Sequence, residues 1–151
     1  MEAFDVKCTL LFDLIGNYKK MVLSTALNNK VTSRMMSVVI SNQQFYFQTD
    51  KISRKYEQLQ KNHNASLCID NIQIEGICTE IGHPLDNQCF SNLYKEYYKA
   101  SYDKYSSLSN ERLFEMKPVF IQKWIYIDGE PYVEIYDFIK KSYEKKPYIG
   151  E

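Results

Sequence analysis

The chain has 151 residues, a length that fits one domain around a single core, and 44% of them are hydrophobic, which excludes a disordered chain. Lysine and arginine number 19, as do aspartate and glutamate, so the zero net charge does not favour nucleic acid or a membrane surface as a partner. No apolar run reaches membrane-spanning length, and the acidic start is unlike a signal peptide. We therefore expect one cytoplasmic domain over residues 1–151.

The first half of the chain has the pattern of a helix followed by a three-stranded meander. Apolar residues at helical spacing before Gly16 predict an amphipathic helix. These residues are Phe4, Cys8, Leu11, Phe12 and Ile15. The next apolar and β-branched runs predict strands over 21–26, 32–41 and 44–49. Because asparagine tolerates positive φ, Asn28 and Asn29 predict a tight hairpin between the first two strands.

The second half mixes helical and strand patterns. Ile52, Tyr56 and Leu59 mark one face of a predicted helix over 51–62, and a broad apolar stripe predicts a longer helix over 86–105. Further strands are predicted over 65–70, 72–82, 119–128 and 132–138. Seven strands with short loops and two or three helices indicate a mainly β fold, either an antiparallel barrel or a sandwich with peripheral helices.

Cysteine and histidine are spaced unlike the ligands of a metal site. The four cysteines include no CxxC pair, and His63 and His83 are far apart in the sequence. We therefore expect no metal and read the cysteines as buried thiols in a reducing compartment. No hydrolase motif or acid–base pair stands out, so the sequence assigns no catalytic residue.

The start of the helix over 51–62 carries the strongest chemical signal. A strand ends at Thr49, and Ser53, Arg54 and Lys55 follow at the first helical turn. Free N–H groups and the helix dipole favour an anion there, and Arg34 on a neighbouring strand could converge on it. This pattern predicts a phosphate site. The alternative, that Ser53 only caps the helix and the cations are solvated, has about equal support from the residues alone.

An ordered set of short motifs over residues 21–82 resembles the pyridoxamine 5′-phosphate oxidase-like FMN-binding split-barrel superfamily. The set consists of a strand with Leu-Ser-Thr, a strand with Ser-Arg, a strand ending Phe-x-Thr, a helix start Ser-x-Lys-x-x-x-Leu-x-x-Asn and a strand with Ile-x-Ile-x-Gly. The matching positions are Leu23, Ser24, Thr25, Ser33, Arg34, Phe47, Thr49, Ser53, Lys55, Leu59, Asn62, Ile72, Ile74 and Gly76.

The resemblance implies an antiparallel, Greek-key-like split barrel of six to seven strands that forms a homodimer, with FMN between the subunits. By position, the FMN phosphate would be held by Arg34, Thr49, Ser53, Arg54 and Lys55. The isoalloxazine ring would rest against Met35, Met36, Ser37, Phe47 and Gln48. The partner subunit would cover the ring with Asn71, Gln73 and Trp124. Trp124 as a plain core residue is an equal alternative, and methionine in a strand is often core.

Two departures argue against the vitamin B6 oxidase itself. Val39 stands where those enzymes have a lysine, and the C-terminal segment lacks their Arg-Leu-x-Pro close. The chain is more similar to the short general-stress and nitroimidazole-reductase-like members. The resemblance therefore implies an oxidoreductase that passes electrons from a reduced nicotinamide or another donor to a small-molecule acceptor. The alternatives are a non-catalytic flavin-binding or flavin-sensing module, a haem-binding relative and a deazaflavin-binding relative.

Overall fold

The computed structural model describes residues 3–150, and its strands form one antiparallel sheet. The strands are Tyr18–Leu27 (β1), Lys30–Ser41 (β2), Gln44–Asp50 (β3), Asn64–Ile69 (β4), Ile72–Glu80 (β5), Glu111–Ile127 (β6), Glu130–Asp137 (β7) and Ser142–Pro147 (β8). Their order is β3-β2-β1-β4-β5-β6-β7-β8, and β3 also pairs with β6. The first six strands therefore close into a barrel, which confirms the predicted fold class, while β7 and β8 extend the sheet beyond β6.

The helices lie at the periphery of the barrel. They are Ala3–Ile15 (α1), Arg54–Lys61 (α2), Gln88–Tyr97 (α3) and the short Lys99–Ser101 (α4), with a 3₁₀ turn at Pro84–Asp86 and a π-helical turn at Tyr102–Ser106. Within residues 3–150 none of them is long and apolar enough to cross a membrane.

The prediction of one continuous helix over 86–105 is wrong. The backbone leaves helical geometry at Tyr98, with φ −133° and ψ 52°. The Tyr98 hydroxyl donates a hydrogen bond of 2.9 Å to the carbonyl oxygen of Val38 in β2. The helical pattern of the sequence therefore spans two helices, and the break between them is fixed against the barrel wall.

Apolar side chains from alternate strand positions fill the barrel. Phe47 and Phe114 stack inside it, with ring centroids 5.6 Å apart. Helix α1 packs its apolar face on the same core, where the rings of Phe12 and Phe45 lie 5.6 Å apart. The predicted face of α1 is confirmed, because the five residues predicted to form it are all buried.

The strand ends show where the sequence patterns were sufficient and where they were not. Asn28 and Asn29 have φ of 53° and 65°, which confirms the predicted hairpin. Strand β6 begins at Glu111, well before its predicted start at residue 119, because charged residues and Pro118 mask its alternation. Pro118 lies opposite Gly76 at a β-bulge, where a missing N–H is tolerated.

Strand β8 was not predicted, because its exposed edge position allows the polar sequence SYEKKP.

The barrel is split between β2 and β3. These strands pair only where residues 39–41 meet residues 44–46, although β2 itself runs from Lys30 to Ser41. The rest of β2 pairs with β1, and the rest of β3 pairs with β6. The two strands therefore diverge beyond Val39 and Tyr46.

Candidate functional site

A cleft with a volume of about 330 Å³ opens where β2 and β3 diverge, and we call it the split cleft. Strands β2 and β3 and helix α2 bring together many of the residues that the sequence assigned to cofactor binding. Those that line it are Met35, Met36, Ser37, Gln48, Thr49 and Lys55. Sequence reasoning missed the others, which are Asp50, Tyr94, Ser101, Tyr105 and Glu111.

Backbone edges flank the split cleft. Over residues 35–38, β2 pairs with β1 on one side, and over residues 47–50, β3 pairs with β6 on one side. In the described chain neither segment has a strand partner on the side that faces the split. Backbone N–H and C=O groups need hydrogen-bond partners when they are covered. Such edges can donate and accept hydrogen bonds to the polar rim of a flat heterocycle.

The adjacent β3 residues Phe47 and Gln48 differ in where their side chains lie. The Ser106 hydroxyl donates to Oε1 of the buried Gln48 at 2.9 Å, which leaves the Gln48 amide NH₂ as the donor on that side chain. Phe47 is fully buried and stacks on Phe114, so its side chain does not line the cleft as a ring contact would require. Only its backbone lies on the split edge. On β2, Met36 belongs to the barrel core while also lining the cleft, and Met35 is 60% exposed.

Arg34 is held in place on the inner face of β2 near one end of the cleft. Its Nη1 donates to Thr25 Oγ1 at 2.8 Å and to the Leu23 carbonyl at 3.3 Å, and its Nη2 donates to Thr32 Oγ1 at 2.6 Å. The buried Gln58 of α2 in turn accepts from Thr32 at 2.7 Å. These bonds use part of the five-donor guanidinium group, so the rest can bind an anion.

Three cations meet at the start of α2. Burial lowers the pKa of Arg34, and the nearby charge of Arg54 lowers it further. Burial likewise lowers the pKa of Lys55, with a second contribution from Arg34, while Asp50 and Glu111 act in the opposite direction. A cation whose pKa is lowered by a neighbouring cation is stabilised by an anion between them. Arg34 therefore lies near both Arg54 and Lys55, and of these three cations Lys55 lines the split cleft.

Ser53 has the capping role that the alternative interpretation assigned to it. Its Oγ accepts from the Tyr56 N–H at 3.2 Å and donates to the Asp50 carbonyl at 3.0 Å. The Thr49 hydroxyl lies 2.9 Å from Ser53 Oγ. The two hydroxyls and the first turn of α2 thus form one hydrogen-bonded unit beside Lys55. Capping and anion binding are compatible here, because a hydroxyl can serve more than one partner.

Glu111 is a buried acid on the floor of the split cleft. Its residue is 4% exposed. Burial raises the pKa of its carboxyl to about 7, and Asp50 adds to this effect, while Lys55 and His83 oppose it. No sequence pattern marks Glu111, because the strand that carries it was predicted to begin only at residue 119.

The residues predicted to come from the partner lie at the other end of β6. Asn71 Nδ2 donates to the Trp124 carbonyl at 2.6 Å, and Gln73 pairs with Gln122. Along β6 this region is roughly 40 Å from Glu111, at about 3.3 Å per residue. Trp124 is half-buried and packs on Tyr148, with ring centroids 4.8 Å apart. These residues do not join the split cleft of their own chain.

A second, larger cleft adjoins the first, and we call it the tyrosine cleft. It has a volume of about 680 Å³ and shares Ser37 and Ser101 with the split cleft. Tyr18 stacks on Tyr97 in its wall, with ring centroids 3.9 Å apart and planes 12° apart. An aromatic wall next to the split cleft can stack with a flat small molecule.

The histidines and cysteines form no metal cluster within residues 3–150. Both ring nitrogens of His83 are engaged, since Nδ1 accepts from the Leu85 N–H at 3.1 Å and Nε2 lies 2.8 Å from the Leu108 carbonyl. All four cysteines are free thiols, and the expectation that they are buried holds only for Cys8 and Cys78.

Several solved structures share this fold. General Stress Protein 26 from Bacillus anthracis is 24% identical, covers 87% of this chain and 98% of its own, and superposes with a TM-score of 0.58. A pyridoxamine 5′-phosphate oxidase-related, FMN-binding protein from Nostoc punctiforme is 15% identical over 87% of this chain and 88% of its own, with a TM-score of 0.63. HutZ, a heme storage protein from Vibrio cholerae, is 15% identical over 66% and 81%, with a TM-score of 0.57.

Sequence similarity defines the family more closely than these structures do. No curated protein sequence is significantly similar to the chain. Residues 12–125, most of the barrel, match the family described as pyridoxamine 5′-phosphate oxidase. The matched range includes both edges of the split cleft and the start of α2. The chain therefore belongs to the pyridoxamine 5′-phosphate oxidase family of split-barrel proteins.

Proposed function

We propose that this protein binds FMN in the split cleft and uses it as an oxidoreductase between a reduced donor and a small-molecule acceptor. The observation that carries the proposal is a cleft flanked by open strand edges and lined by Lys55, with Arg34 close to Lys55 and Arg54 close to Arg34. A phosphomonoester with nearly two negative charges matches such a cluster. The FMN-binding protein from Nostoc punctiforme, which has the same fold, supports the choice of flavin.

The phosphate end would be organised by α2. Arg34, already oriented by Thr25 and Thr32, can give forked hydrogen bonds, and Lys55 adds a point charge in a half-buried position. Thr49 and Ser53 present hydroxyls beside the first helical turn. Each charge-assisted hydrogen bond of this kind contributes about 1.5–3 kcal/mol.

The ring end would lie between β2 and β3. The Gln48 amide and the backbone edges can bind the polar rim of the ring, and Met35 and Met36 can contact its face. When bound, FMN supplies the electron-transfer chemistry, and the protein supplies placement and a partly dry environment. The acceptor would enter through the tyrosine cleft, which shares Ser37 and Ser101 with the ring end.

The assembly we propose is a homodimer. The far end of β6 carries Trp124 next to Tyr126, which is 66% exposed, and Tyr148, which is 52% exposed. Exposed aromatic groups of this size are typical of interaction surfaces. In a two-fold dimer, Asn71 and Trp124 of one copy would cover the split cleft of the other. Analytical ultracentrifugation tests this proposal, and a monomer at micromolar concentration would contradict it.

The decisive experiment is flavin binding to matched variants. The wild-type protein should retain visible flavin absorption after FMN addition and gel filtration, and should bind FMN more tightly than riboflavin. Arg54→Ala/Lys55→Ala should lose most of that preference. Lys61→Ala at the other end of α2, where Lys61 pairs with the exposed Glu57, is the control and should behave as wild type. A protein that binds no FMN would refute the proposed function.

Steady-state oxidation of NADH and NADPH separates an enzyme from a binding module. Turnover in the presence of an electron acceptor should accompany bound FMN. Bound FMN without turnover with any nicotinamide or acceptor would leave a flavin-binding module of the same fold. The haem alternative has less support, because His83 is fully engaged in hydrogen bonds.

A further inference from the structure

Glu111 stands out because it is buried without being neutralised by a bound partner. In residues 3–150 no hydrogen bond reaches its carboxyl group, although its residue is only 4% exposed. In the same residues, every side-chain oxygen that solvent cannot reach has a hydrogen-bond partner. The carboxyl therefore meets the split cleft, which it lines, rather than a protein donor. A buried polar group without a partner is costly unless a ligand or a proton satisfies it.

The groups around Glu111 come from every element packed on it. Asp50 of β3 opposes ionisation, and Lys55 of α2 and His83 before the 3₁₀ turn favour it. Tyr94 of α3 and Tyr105 of the π-helical turn line the same cleft. Lys55 faces two carboxyl groups, those of Asp50 and Glu111, so the charge of Glu111 depends on what else occupies the cleft.

We propose that Glu111 exchanges a proton with solvent in response to the cleft's occupant, taking one up when negative charge enters the cleft and releasing it when that charge leaves. The step is a protonation only: a carboxylate plus one proton gives a carboxylic acid, with the proton drawn from solvent through the open cleft. The neutral acid can then donate a hydrogen bond to the occupant, which a carboxylate cannot do. For a flavin occupant the inference rests on the proposed function, but the response to an anion does not.

The chemistry of a flavin site gives this exchange a use. Electrons that enter a partly buried ring bring negative charge into a region of low dielectric, where an uncompensated charge is unfavourable. A nearby acid that takes up a proton at the same time compensates that charge. Such a group needs a pKa close to the working pH, and burial brings the pKa of Glu111 to about 7.

The first test needs no flavin. The Glu111 side-chain carboxyl is assigned by through-bond NMR in the ¹³C-labelled protein, and its chemical shift is followed from pH 4 to pH 9 with and without inorganic phosphate. We expect the titration midpoint of the Glu111 carboxyl to lie near neutral pH. It should rise by about half a pH unit or more when phosphate binds next to Lys55. A midpoint in the ordinary glutamate range, or one that phosphate does not move, would overturn the inference.

The second test uses the protein loaded with FMN. Its midpoint potential is measured by dithionite titration between pH 6 and pH 8 for wild type, Glu111→Gln and Glu130→Gln, where Glu130, an exposed residue at the start of β7, serves as the control. One additional proton per two electrons steepens the dependence on pH by about 30 mV per pH unit. We expect Glu111→Gln to lose part of this slope and Glu130→Gln to keep it. Equal slopes for all three proteins would refute a role for Glu111.

The two tests separate this inference from the proposed function. If phosphate moves the Glu111 midpoint but FMN does not bind, the flavin assignment fails and proton exchange stands. If FMN binds and neither phosphate nor reduction changes the protonation of Glu111, the inference fails and the flavin site stands. Circular dichroism establishes that Glu111→Gln is folded, and Glu111→Asp, which keeps the acid, should restore part of the slope.

Discussion

The two ends of β6 differ in what they place at the surface. At Glu111 the strand begins beneath the split cleft, where a buried acid, a half-buried lysine and two buried polar side chains of β3 lie together. Near Trp124 the same strand carries aromatic side chains that are only partly covered. One end therefore has the properties of a ligand site, and the other has those of an interaction surface. A single strand can supply both halves of a site only if two copies associate.

The largest effect is expected at the polar end. Arg34→Ala combined with Lys55→Ala removes the two charge-assisted contacts that we propose for the FMN phosphate, so FMN affinity should fall by about 100-fold or more. Lys123→Ala, at the aromatic end of β6, should change FMN affinity by less than about threefold in the same isothermal titration. Similar losses in both variants would show that general positive charge, rather than this cluster, binds the ligand.

Glu111 makes the stability of the polar end depend on pH. Its pKa is about 7 in the folded protein and near 4.5 when unfolded, so the folded state binds more protons between these values. Its contribution to stability is therefore fully present below pH 4.5 and is lost as the pH rises through 7, by about 3 kcal/mol at most. Urea unfolding should show Glu111→Gln gaining stability relative to wild type from pH 5 to pH 8. A constant difference would contradict the raised pKa.

The bulge between the two ends is the next point to test. A methyl group on Gly76 would lie 2.7 Å from the Lys117 carbonyl oxygen and from side-chain carbons of Met116. Gly76→Ala should therefore lower the free energy of unfolding by about 1–3 kcal/mol. The neighbouring exposed Glu75→Ala is the control and should have little effect. If Gly76→Ala unfolds with the same free energy as wild type, β5 and β6 can move apart at the bulge without loss of stability.

The sequence predicts a region well when the residues that form it lie close together in the chain. The start of α2 was predictable, because Thr49, Ser53 and Lys55 are close in the chain and have recognisable chemistry. Glu111 was not, since its burial depends on β6 pairing with β3, more than sixty residues earlier in the chain. Phe47, whose side chain lies in the barrel core while its backbone lies on the split edge, shows that a family pattern marks the strand but not which face each side chain takes. The missed β8 lacks apolar alternation, which an edge strand does not need.

We expect the aromatic end of β6 to affect FMN binding only by contacting a second copy of the chain. Trp124→Ala should weaken self-association and lower FMN affinity by roughly tenfold, an effect the size of one interfacial aromatic side chain. Tyr148→Phe, which keeps the ring that packs on Trp124, is the matched control. Sedimentation velocity and flavin fluorescence measured over the same range of protein concentration would show whether binding and association change together. If Trp124→Ala remains fully dimeric with normal FMN affinity, this end of β6 is not the cover of the cleft.

The smallest effect is expected from Ser53, where capping and ligand binding overlap. Ser53→Ala removes the acceptor for the Tyr56 N–H and should lower the free energy of unfolding by about 1 kcal/mol. Ser53→Asp restores an acceptor for the cap but adds a negative charge beside Lys55, so it should recover stability while weakening FMN binding further. Thermal unfolding and FMN titration of both variants separate the two roles. If Ser53→Asp binds FMN as well as wild type does, the phosphate does not lie at the start of α2, because a carboxylate there would repel it.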